Sequence, residues 1–342
     1  MQGNFKAAVV QAAPEFMNLD AGVDKAIELI QSAASNGAQL IGFPECWLPG
    51  YPWWVWLSPA AMNLRYFQRY HENCLVVDSP QFQRIGAAAR EHGIHVSMGA
   101  SERDYGSLYI SQFLFDDQGQ LVKGRRKLKP THMERTVFGD GDGSDLDVSE
   151  TTLGRIGQLA CWEHLQPLSK YAMFSMHEQI HVAAWPSFSC YPQAFTLGST
   201  LNNALSQVYA AEGQCFVLAP CGIVSDAMIE LLVETPEQAE LLLPGGGFAQ
   251  IYGPDGAPLC EPLPEREEGL LFADIDFAAI TIAKSFADPV GHYSRPDVTR
   301  LLLNREARGA VQQAAPASAD AATEPTEKTE GDLNSLQCQA RK

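Results

Sequence analysis

The chain alternates between short apolar runs and amphipathic segments almost from its first residue, and this alternation constrains its fold more than any other feature. Residues 7–13 and 40–43 are short apolar runs typical of buried strands. Between them, residues 20–36 carry apolar side chains at helical spacing, and Gly37 follows as a helix stop. Alternation of this kind predicts an α/β protein with helices packed outside sheets.

The same pattern continues along the chain. Two strand-like arms flank a Gly-containing turn at residues 116–119, which predicts a hairpin. Further strand-like segments are 94–99, 107–115, 120–127, 152–160, 180–185, 215–220, 248–252 and 270–275. Further helix-like segments are 60–74, 81–92, 168–176, 201–212 and 296–304. About 305 residues are many for a single core, and two packed sheets would bury them better.

The composition changes near the C-terminus. After about Arg308 the sequence is rich in Ala, Pro, Thr, Glu and Ser and has almost no large apolar residues. Such a segment cannot bury enough apolar surface to offset its conformational entropy. The sequence therefore predicts one domain, residues 1–305, followed by a disordered tail, residues 306–342.

Charge and cysteine usage exclude several classes of protein. The chain has 41 acidic and 24 basic residues, a net charge of −17, which opposes binding to nucleic acid or an anionic membrane. No apolar run reaches the roughly 18 residues of a membrane span, and the N-terminus lacks a signal-peptide pattern. The eight cysteines include no C-x-x-C pair, so reduced thiols and a cytoplasmic location are expected.

Three residues have the chemistry of a nucleophilic site. Cys161 stands between an apolar strand and a helix, a turn where a thiol can be exposed to converging backbone N–H groups. Glu45 lies just past another strand among apolar neighbours that can raise its pKa toward that of a base. Lys127 ends a third strand, where alternation predicts that it shares a face with Lys129. Taken singly, each has a simpler explanation: a buried thiol, a solvated acid and a basic strand edge.

The surrounding motifs connect the three residues. They lie in the motifs Phe43-Pro44-Glu45, the segment from Arg125 to Arg135, and Ala160-Cys161-Trp162-Glu163-His164. In the order and spacing of these motifs, from about Phe5 to Asn304, the chain resembles the nitrilase branch of the nitrilase superfamily, and the arylacetonitrilases within it. The resemblance implies a four-layer αββα sandwich, a homo-oligomer built from dimers and extending in some members to spiral filaments, and no metal or organic cofactor.

The resemblance also implies roles for individual residues. Cys161 would be the nucleophile, Glu45 the general base and Lys127 the electrostatic partner. Glu134 matches the further glutamate that orients the lysine and the substrate. The substrate would be a nitrile, hydrolysed to carboxylic acid and ammonia with some amide. An aliphatic nitrilase, a cyanide dihydratase, and an amidase or carbamoylase of the same superfamily stay open as alternatives.

Several residues are candidates for the substrate pocket. Aromatic side chains follow the base within 11 residues and suit either a flat pocket wall or core packing. Trp185 and Pro186 end the strand after the Cys161 helix and are expected near the site. The backbone N–H of Trp162 would stabilise developing charge. The full set of predicted binding residues is Tyr51, Trp54, His132, Trp162, Trp185 and Pro186.

A zinc motif occurs in the sequence but lacks its required setting. His177-Glu178-Gln179-Ile180-His181 fits H-E-x-x-H, which binds zinc when both histidines lie one turn apart on a helix. A strand is predicted to begin at Ile180, so His181 should lie beyond the helix. The motif is therefore not expected to bind metal.

Overall fold

Two β-sheets face each other in a computed structural model that describes residues 4–309 and 311. The first sheet has the strand order β10-β1-β2-β3-β4-β5, with β12 also paired to β1, and the second has the order β11-β9-β8-β7-β6. The strands are β1 (Phe5–Ala12), β2 (Ala38–Gly42), β3 (His95–Asp104), β4 (Ser107–Phe115), β5 (Leu121–Arg126), β6 (Val148–Thr151), β7 (Gly154–Ala160), β8 (Ile180–Ala184), β9 (Phe216–Ala219), β10 (Cys221–Gly222), β11 (Gln250–Tyr252) and β12 (Gly269–Ile275).

Helices cover the outer face of each sheet. The α-helices are α1 (Leu19–Ser35), α2 (Ala60–Asn73), α3 (Pro80–His92), α4 (Pro167–Ser175), α5 (Ser199–Gly213), α6 (Asp226–Leu232), α7 (Pro236–Ala239) and α8 (Ala278–Ala287). Among the described residues, none of them is both long and apolar enough to cross a membrane.

The alternation of side chains along β1 separates the two halves of the core. Ala8 and Val10 pack with buried residues of α1 and α3 on one face of the first sheet. Ala7 and Val9 point the other way and join the cluster that contains the second sheet, α4 and α5. Since successive strand residues face opposite sides, one apolar strand serves both layers. The layers are therefore helix, sheet, sheet and helix, and the predicted αββα sandwich is confirmed.

Two parts of the element prediction were wrong. The predicted helix over residues 296–304 is a turn followed by irregular chain, and the last helix of the described part, α8, was not predicted. Ile280 and Ala283 of α8 are buried, whereas Ile282 and Phe286 are exposed, so this helix carries apolar side chains on both its buried and its exposed faces. The segment before residue 308 forms one compact unit. The proposed tail falls almost wholly outside the described residues, and that domain boundary stays a prediction.

The backbone approaches itself closely where β3 passes the segment that carries Glu45. A Cβ atom at Gly99 would lie 1.9 Å from the Pro44 carbonyl oxygen and 3.3 Å from the Glu45 Cα. Real atoms do not approach so closely, so only glycine permits this contact. Gly99 thereby sets the position of Glu45 against the first sheet.

Gly99→Ala should lower the free energy of unfolding by about 1–3 kcal/mol, because the new methyl group fits only if the backbone moves. Gly106→Ala is the matched control, since a Cβ there would meet nothing within 4 Å. The measurement is urea unfolding of both variants. Equal stability of the two variants would contradict the close approach.

Candidate active site

A buried ammonium group lies between two carboxylates at the edge where the sheets meet. Lys127 directly follows β5, and its Nζ lies 2.8 Å from Glu45 Oε1 and 2.8 Å from Glu134 Oε2. Glu45 follows β2, and Glu134 lies on the 3-10 turn His132–Thr136. The three side chains are at most 2% exposed, so they interact in a medium from which water is largely excluded.

The charge state of the lysine follows from these contacts. Burial alone would lower the pKa of Lys127, but Glu134 and Glu45 raise it well above the ordinary value. Two carboxylates at hydrogen-bond distance favour the charged form more strongly than desolvation opposes it. Lys127 is therefore a fixed cation near neutral pH.

Glu45 has the environment expected of a general base. Burial raises its pKa to about 8, against the opposing effect of Lys127. Its Oε1 accepts from Lys127, whereas its Oε2 is buried and has no hydrogen-bond partner among the described residues. A base needs a pKa near the working pH and a free lone pair, and Glu45 has both.

Cys161 begins a 3-10 turn directly after β7 and has a left-handed backbone, with φ +49°. Such a conformation is strained for a residue other than glycine and is found where a side chain must be presented in a fixed direction. Its sulfur and one carboxylate oxygen each of Glu45 and Glu134 all lie within 4.8 Å of one another. The structure thus brings together Glu45, Lys127, Glu134 and Cys161.

The thiol is not ionised at rest. Burial, and then the Glu45 charge, raise the pKa of Cys161 well above its ordinary value. Lys127 and a hydrogen bond from the Trp162 backbone N–H act in the opposite direction. A proton acceptor beside the sulfur is therefore required before it can attack, since the thiolate is the nucleophilic form.

Glu134 is held by two further donors. The Tyr51 hydroxyl donates to its Oε1 at 2.9 Å, and the Thr131 backbone N–H donates to its Oε2 at 2.6 Å. The Tyr51 oxygen in turn accepts from Trp56 Nε1 at 3.2 Å. These contacts fix the carboxylate that holds Lys127.

The acidic cluster has the donor atoms of a metal site but already holds a cation. Glu45, Glu134 and Cys161 supply oxygen and sulfur donors at distances that could hold a metal ion. Lys127 Nζ, however, already lies within 2.8 Å of both carboxylates. A cation already occupies the position between them, so this donor set does not fit a metal.

An apolar cavity opens directly onto the thiol. Its empty space, which includes open solvent at the mouth, amounts to about 440 Å³. Its lining residues are Tyr51, Trp53, Trp56, Thr131, Glu134, Cys161, Trp162, Trp185, Pro186, Ser187, Phe188, Cys190, Leu197 and Asn202. Most of these side chains are aromatic or aliphatic, whereas the reacting groups lie at one end.

Two predicted pocket residues lie elsewhere. Trp54 is buried against Tyr66 and Tyr70, with ring centroids at 5.6 and 4.7 Å, and belongs to the packing behind the pocket. His132 stacks on Trp56 at 5.4 Å and lines surface clefts beside the cavity. Residues 53–56 form a 3-10 turn, which directs neighbouring side chains differently from a strand. The remaining candidates, Tyr51, Trp162, Trp185 and Pro186, line the cavity.

The profile of the carbon-nitrogen hydrolase family matches residues 6–284, about four fifths of the chain. This chain belongs to the carbon-nitrogen hydrolase family. The match covers every residue of the site described above, from Glu45 to Cys161.

The relatives place the chain among the nitrilases of that family. A nitrilase of Pseudomonas syringae is 59% identical over 89% of this chain and 91% of its own length. An arylacetone-specific nitrilase of Alcaligenes faecalis is 53% identical over 87% of this chain and 84% of its own. An aliphatic nitrilase of Rhodococcus rhodochrous is 52% identical over 88% and 83%. The predicted resemblance to nitrilases is confirmed.

A solved structure shares the fold. The carbon-nitrogen hydrolase of Helicobacter pylori superposes with a TM-score of 0.66 at 18% sequence identity, covering 88% of this chain and 100% of that one. Identity this low bears on architecture alone. The superposition shows that the solved carbon-nitrogen hydrolase and this chain share the same architecture.

A second buried ion pair fixes the turn that carries Cys161. Arg125 donates to Glu163 through both terminal nitrogens, at 2.9 and 2.7 Å. Glu163 also accepts from the backbone N–H groups of Leu128 and Ala160, at 2.9 and 2.8 Å. Burial alone would raise the pKa of Glu163, but Arg125 and these N–H groups hold it below the ordinary value. The pair ties the end of β5 to the end of β7.

The prediction that Lys129 shares a strand face with Lys127 was wrong. Strand β5 ends at Arg126, and Pro130 follows shortly after, so the chain turns away beyond Lys127. Lys129 is exposed and pairs with Asp140 at 2.7 Å. The buried residue on the Lys127 side is Arg125, which the sequence did not distinguish within a run of basic residues.

Other cavity residues carried little signal in the sequence. Asn202 lies on α5, and its Oδ1 accepts from Trp162 Nε1 at 3.0 Å, which fixes that indole. Phe188 packs against Trp185 in a tilted arrangement, with ring centroids 5.5 Å apart. Phe188 follows the predicted Trp185-Pro186 pair closely, and this proximity was a usable signal. Nothing near Asn202 in the sequence marks it, because its position depends on how α5 packs.

The zinc motif does not form a zinc site. Helix α4 ends at Ser175, and His181 lies on β8, so the prediction that it falls beyond the helix is confirmed. His177 is exposed, whereas His181 is buried and contacts Glu178.

Glu163→Gln should lower the free energy of unfolding by about 3–5 kcal/mol, because it leaves the buried Arg125 guanidinium without a counter-charge. Lys129→Ala, which breaks an exposed pair, should cost less than about 1 kcal/mol. Urea unfolding followed by circular dichroism measures both values. A loss below 1 kcal/mol in Glu163→Gln would show that the buried pair is not needed to hold the turn.

Proposed function

We propose that this enzyme hydrolyses organic nitriles to carboxylic acids and ammonia, with Cys161 as the nucleophile. The single observation that carries the proposal is the position of Lys127, whose ammonium lies between Glu45 and Glu134 beside the thiol. This arrangement supplies a base, a nucleophile and a fixed positive charge in one water-poor site. The nitrilase relatives support the reaction class.

The first half of the reaction forms a covalent intermediate. Glu45 takes the thiol proton through its free Oε2 as the sulfur of Cys161 attacks the nitrile carbon. The C≡N bond loses one π component and becomes a thioimidate C=N–H, the proton being delivered from Glu45. Lys127 and the backbone N–H of Trp162 stabilise the charge that develops on nitrogen. Fixed donors in a dry site cost no reorganisation as the charge appears.

The second half consumes two waters. Glu45 removes a proton from the first water as it adds to the thioimidate, giving a tetrahedral carbon that bears sulfur, oxygen and nitrogen. Glu45 returns this proton to the nitrogen and then transfers the hydroxyl proton to it as well, so that ammonia leaves and a thioester C=O forms. Glu45 next deprotonates a second water as it adds to the thioester, and the same proton restores the thiol when the carboxylic acid is released. If sulfur leaves instead of ammonia, the product is the amide. Lys127 stays protonated throughout.

The cavity supports a substrate with an aromatic ring close to the nitrile. Four of its lining residues are large aromatics, namely Trp53, Trp56, Trp162 and Phe188. Two aromatic rings in an offset-stacked or edge-to-face arrangement stabilise a complex by about 0.5–1.5 kcal/mol beyond the effect of burying their surface. We therefore propose arylacetonitriles as the preferred class. An aliphatic nitrile is the second candidate, because Leu197 and Cys190 add aliphatic and thiol surface to the same walls.

We also propose a cytoplasmic homo-oligomer. All seven cysteines among the described residues are free, which suits a reducing compartment. Exposed apolar side chains occur on the outer helices, with Leu168 on α4 at 68% and Val208 on α5 at 45% exposure. Large apolar side chains exposed on the outer helices are candidates for subunit contacts. The proposed building block is a dimer.

A substrate panel tests the function. Phenylacetonitrile, benzonitrile, an aliphatic dinitrile, cyanide and phenylacetamide are incubated with the enzyme, and ammonia, acid and amide are measured. We expect acid and ammonia, fastest from phenylacetonitrile. Cys161→Ala should lose at least about 10⁴-fold activity, as expected for removal of a covalent nucleophile. Cys260→Ala, which removes the other half-buried thiol, is the matched control and should keep wild-type rates. Hydrolysis of the amide alone would refute the proposal.

The pH profile tests Glu45 as the base. A base must be ionised to act, and burial raises its pKa to about 8, so kcat/KM should fall tenfold per pH unit below about 8. Lys127 and the thiol have pKa values raised well above their ordinary ones, so no loss is expected between pH 8 and 9. Activity regained on return to pH 8 shows that the protein stayed folded. A plateau extending down to pH 5 is incompatible with this role.

A further inference from the structure

Behind Cys161 lies an unbroken chain of buried hydrogen bonds that the proposed mechanism does not use. The Tyr209 hydroxyl donates to Glu178 Oε2 at 2.7 Å, and Glu178 Oε1 lies 2.6 Å from His181 Nδ1. His181 Nε2 lies 2.9 Å from His164 Nε2. His164 Nδ1 lies 2.6 Å from the carbonyl oxygen of Cys161. The chain therefore ends on the backbone of the nucleophile.

The four side chains of the chain are sealed from solvent. His164, His181 and Tyr209 are 0% exposed, and Glu178 is 2% exposed. Stacked rings support them, since His181 packs on Tyr209 at 3.9 Å and His164 packs on Trp185 at 5.3 Å. Buried polar groups are costly unless every one is hydrogen-bonded, and here each has a partner.

The number of protons in this hydrogen-bond chain follows from its contacts. The three contacts that join Glu178, His181, His164 and the Cys161 carbonyl need three hydrogens. Two neutral imidazoles supply two. The third comes either from a protonated Glu178 or from one imidazolium beside an ionised Glu178. In both cases the chain has no net charge.

The environment favours the form without separated charges. Burial raises the pKa of Glu178 to about 8. Burial, and then the neighbouring His181, lower the pKa of His164 to about 3, while burial lowers that of His181 well below its ordinary value. Glu178 therefore donates to His181 Nδ1, His181 Nε2–H donates to His164, and His164 Nδ1–H donates to the carbonyl of Cys161.

Every donor in this chain then points toward the nucleophile. The carbonyl of Cys161 and the N–H of Trp162 belong to one peptide group, and that N–H acts to lower the pKa of the Cys161 thiol. A hydrogen bond accepted by a peptide carbonyl polarises the group and strengthens its N–H as a donor. Successive hydrogen bonds in a chain add to this polarisation.

We propose that His164, supported by His181, Glu178 and Tyr209, is a positioning residue that orients and polarises the Cys161–Trp162 peptide for catalysis. It acts through the peptide and does not touch the substrate. The hydrogen bond also holds the strained backbone of Cys161, at φ +49°, from the side opposite to the cavity. For turnover, the proposal rests on the function proposed above.

Two substitutions at one position separate the donor from the packing. In His164→Asn the Asn Nδ2 occupies the place of the imidazole Nδ1 and can still donate to the Cys161 carbonyl. In His164→Leu no donor remains. Both variants lose the link to His181, so the difference between them reports the donor alone. The control is His177→Asn, at the exposed histidine of the H-E-x-x-H segment that contains Glu178 and His181. Asn tolerates the left-handed backbone of this position.

Two readouts are measured on the full-length enzyme. The first is kcat and KM for phenylacetonitrile, or for whichever nitrile of the panel reacts fastest. The second is the rate at which iodoacetamide alkylates Cys161, followed by mass spectrometry of its peptide, which reports thiolate availability without a nitrile. Thermal midpoints of all variants are recorded alongside.

The proposal predicts that His164→Leu loses about 10–100-fold in kcat, as for other supporting contacts to reactive groups, with KM changed less than about threefold. Its alkylation rate should fall at least about tenfold, whereas His164→Asn should stay within about fivefold of wild type in both measurements. Equal losses in the two variants, or losses that follow the thermal midpoint, would overturn it. If wild type is inert toward nitriles but the alkylation pattern holds, the proposed function fails and the positioning role stands.

Discussion

The rest of the structure depends on one buried cation, the Lys127 ammonium held between Glu45 and Glu134. Removing a charged group from water costs several kcal/mol, and that cost is offset only when opposite charges lie at hydrogen-bond distance. Both contacts are 2.8 Å long. The group of the cluster that gains and loses a proton is then Glu45. Burial raises its pKa to about 8, so it can exchange a proton with sulfur or water.

Such a cluster must be assembled from distant parts of the chain. Glu45 follows a strand of the first sheet, Lys127 directly follows its edge strand β5, and Cys161 directly follows β7 of the second sheet. The sandwich brings these strand ends to one place, and Gly99 lets the Glu45 segment lie against β3. The Arg125–Glu163 pair then joins β5 to the Cys161 turn. Each reacting group is thus supported from behind by buried polar contacts.

The sequence predicted the regular elements best where the apolar pattern was clear. Strands β1, β2 and β8 and helices α1 and α3 lie within a few residues of their predicted places. Helix α8 was missed although its apolar residues recur at helical spacing, and the helix predicted over residues 296–304 is absent from the described structure. Local propensity is overridden there by packing against the sheet.

The sequence by itself determined the layered α/β class, the family, and the presence of a thiol, a carboxylate and a lysine at strand ends. Only the tertiary structure decided which neighbours surround them: Trp53 and Trp56 face the cavity while Trp54 faces the core, Arg125 is buried while Lys129 is exposed, and His181 joins the chain behind Cys161. The physical reason is that burial and hydrogen-bond direction depend on groups far apart in sequence. A shift of one residue along a strand turns each side chain to the opposite face, where it meets different groups.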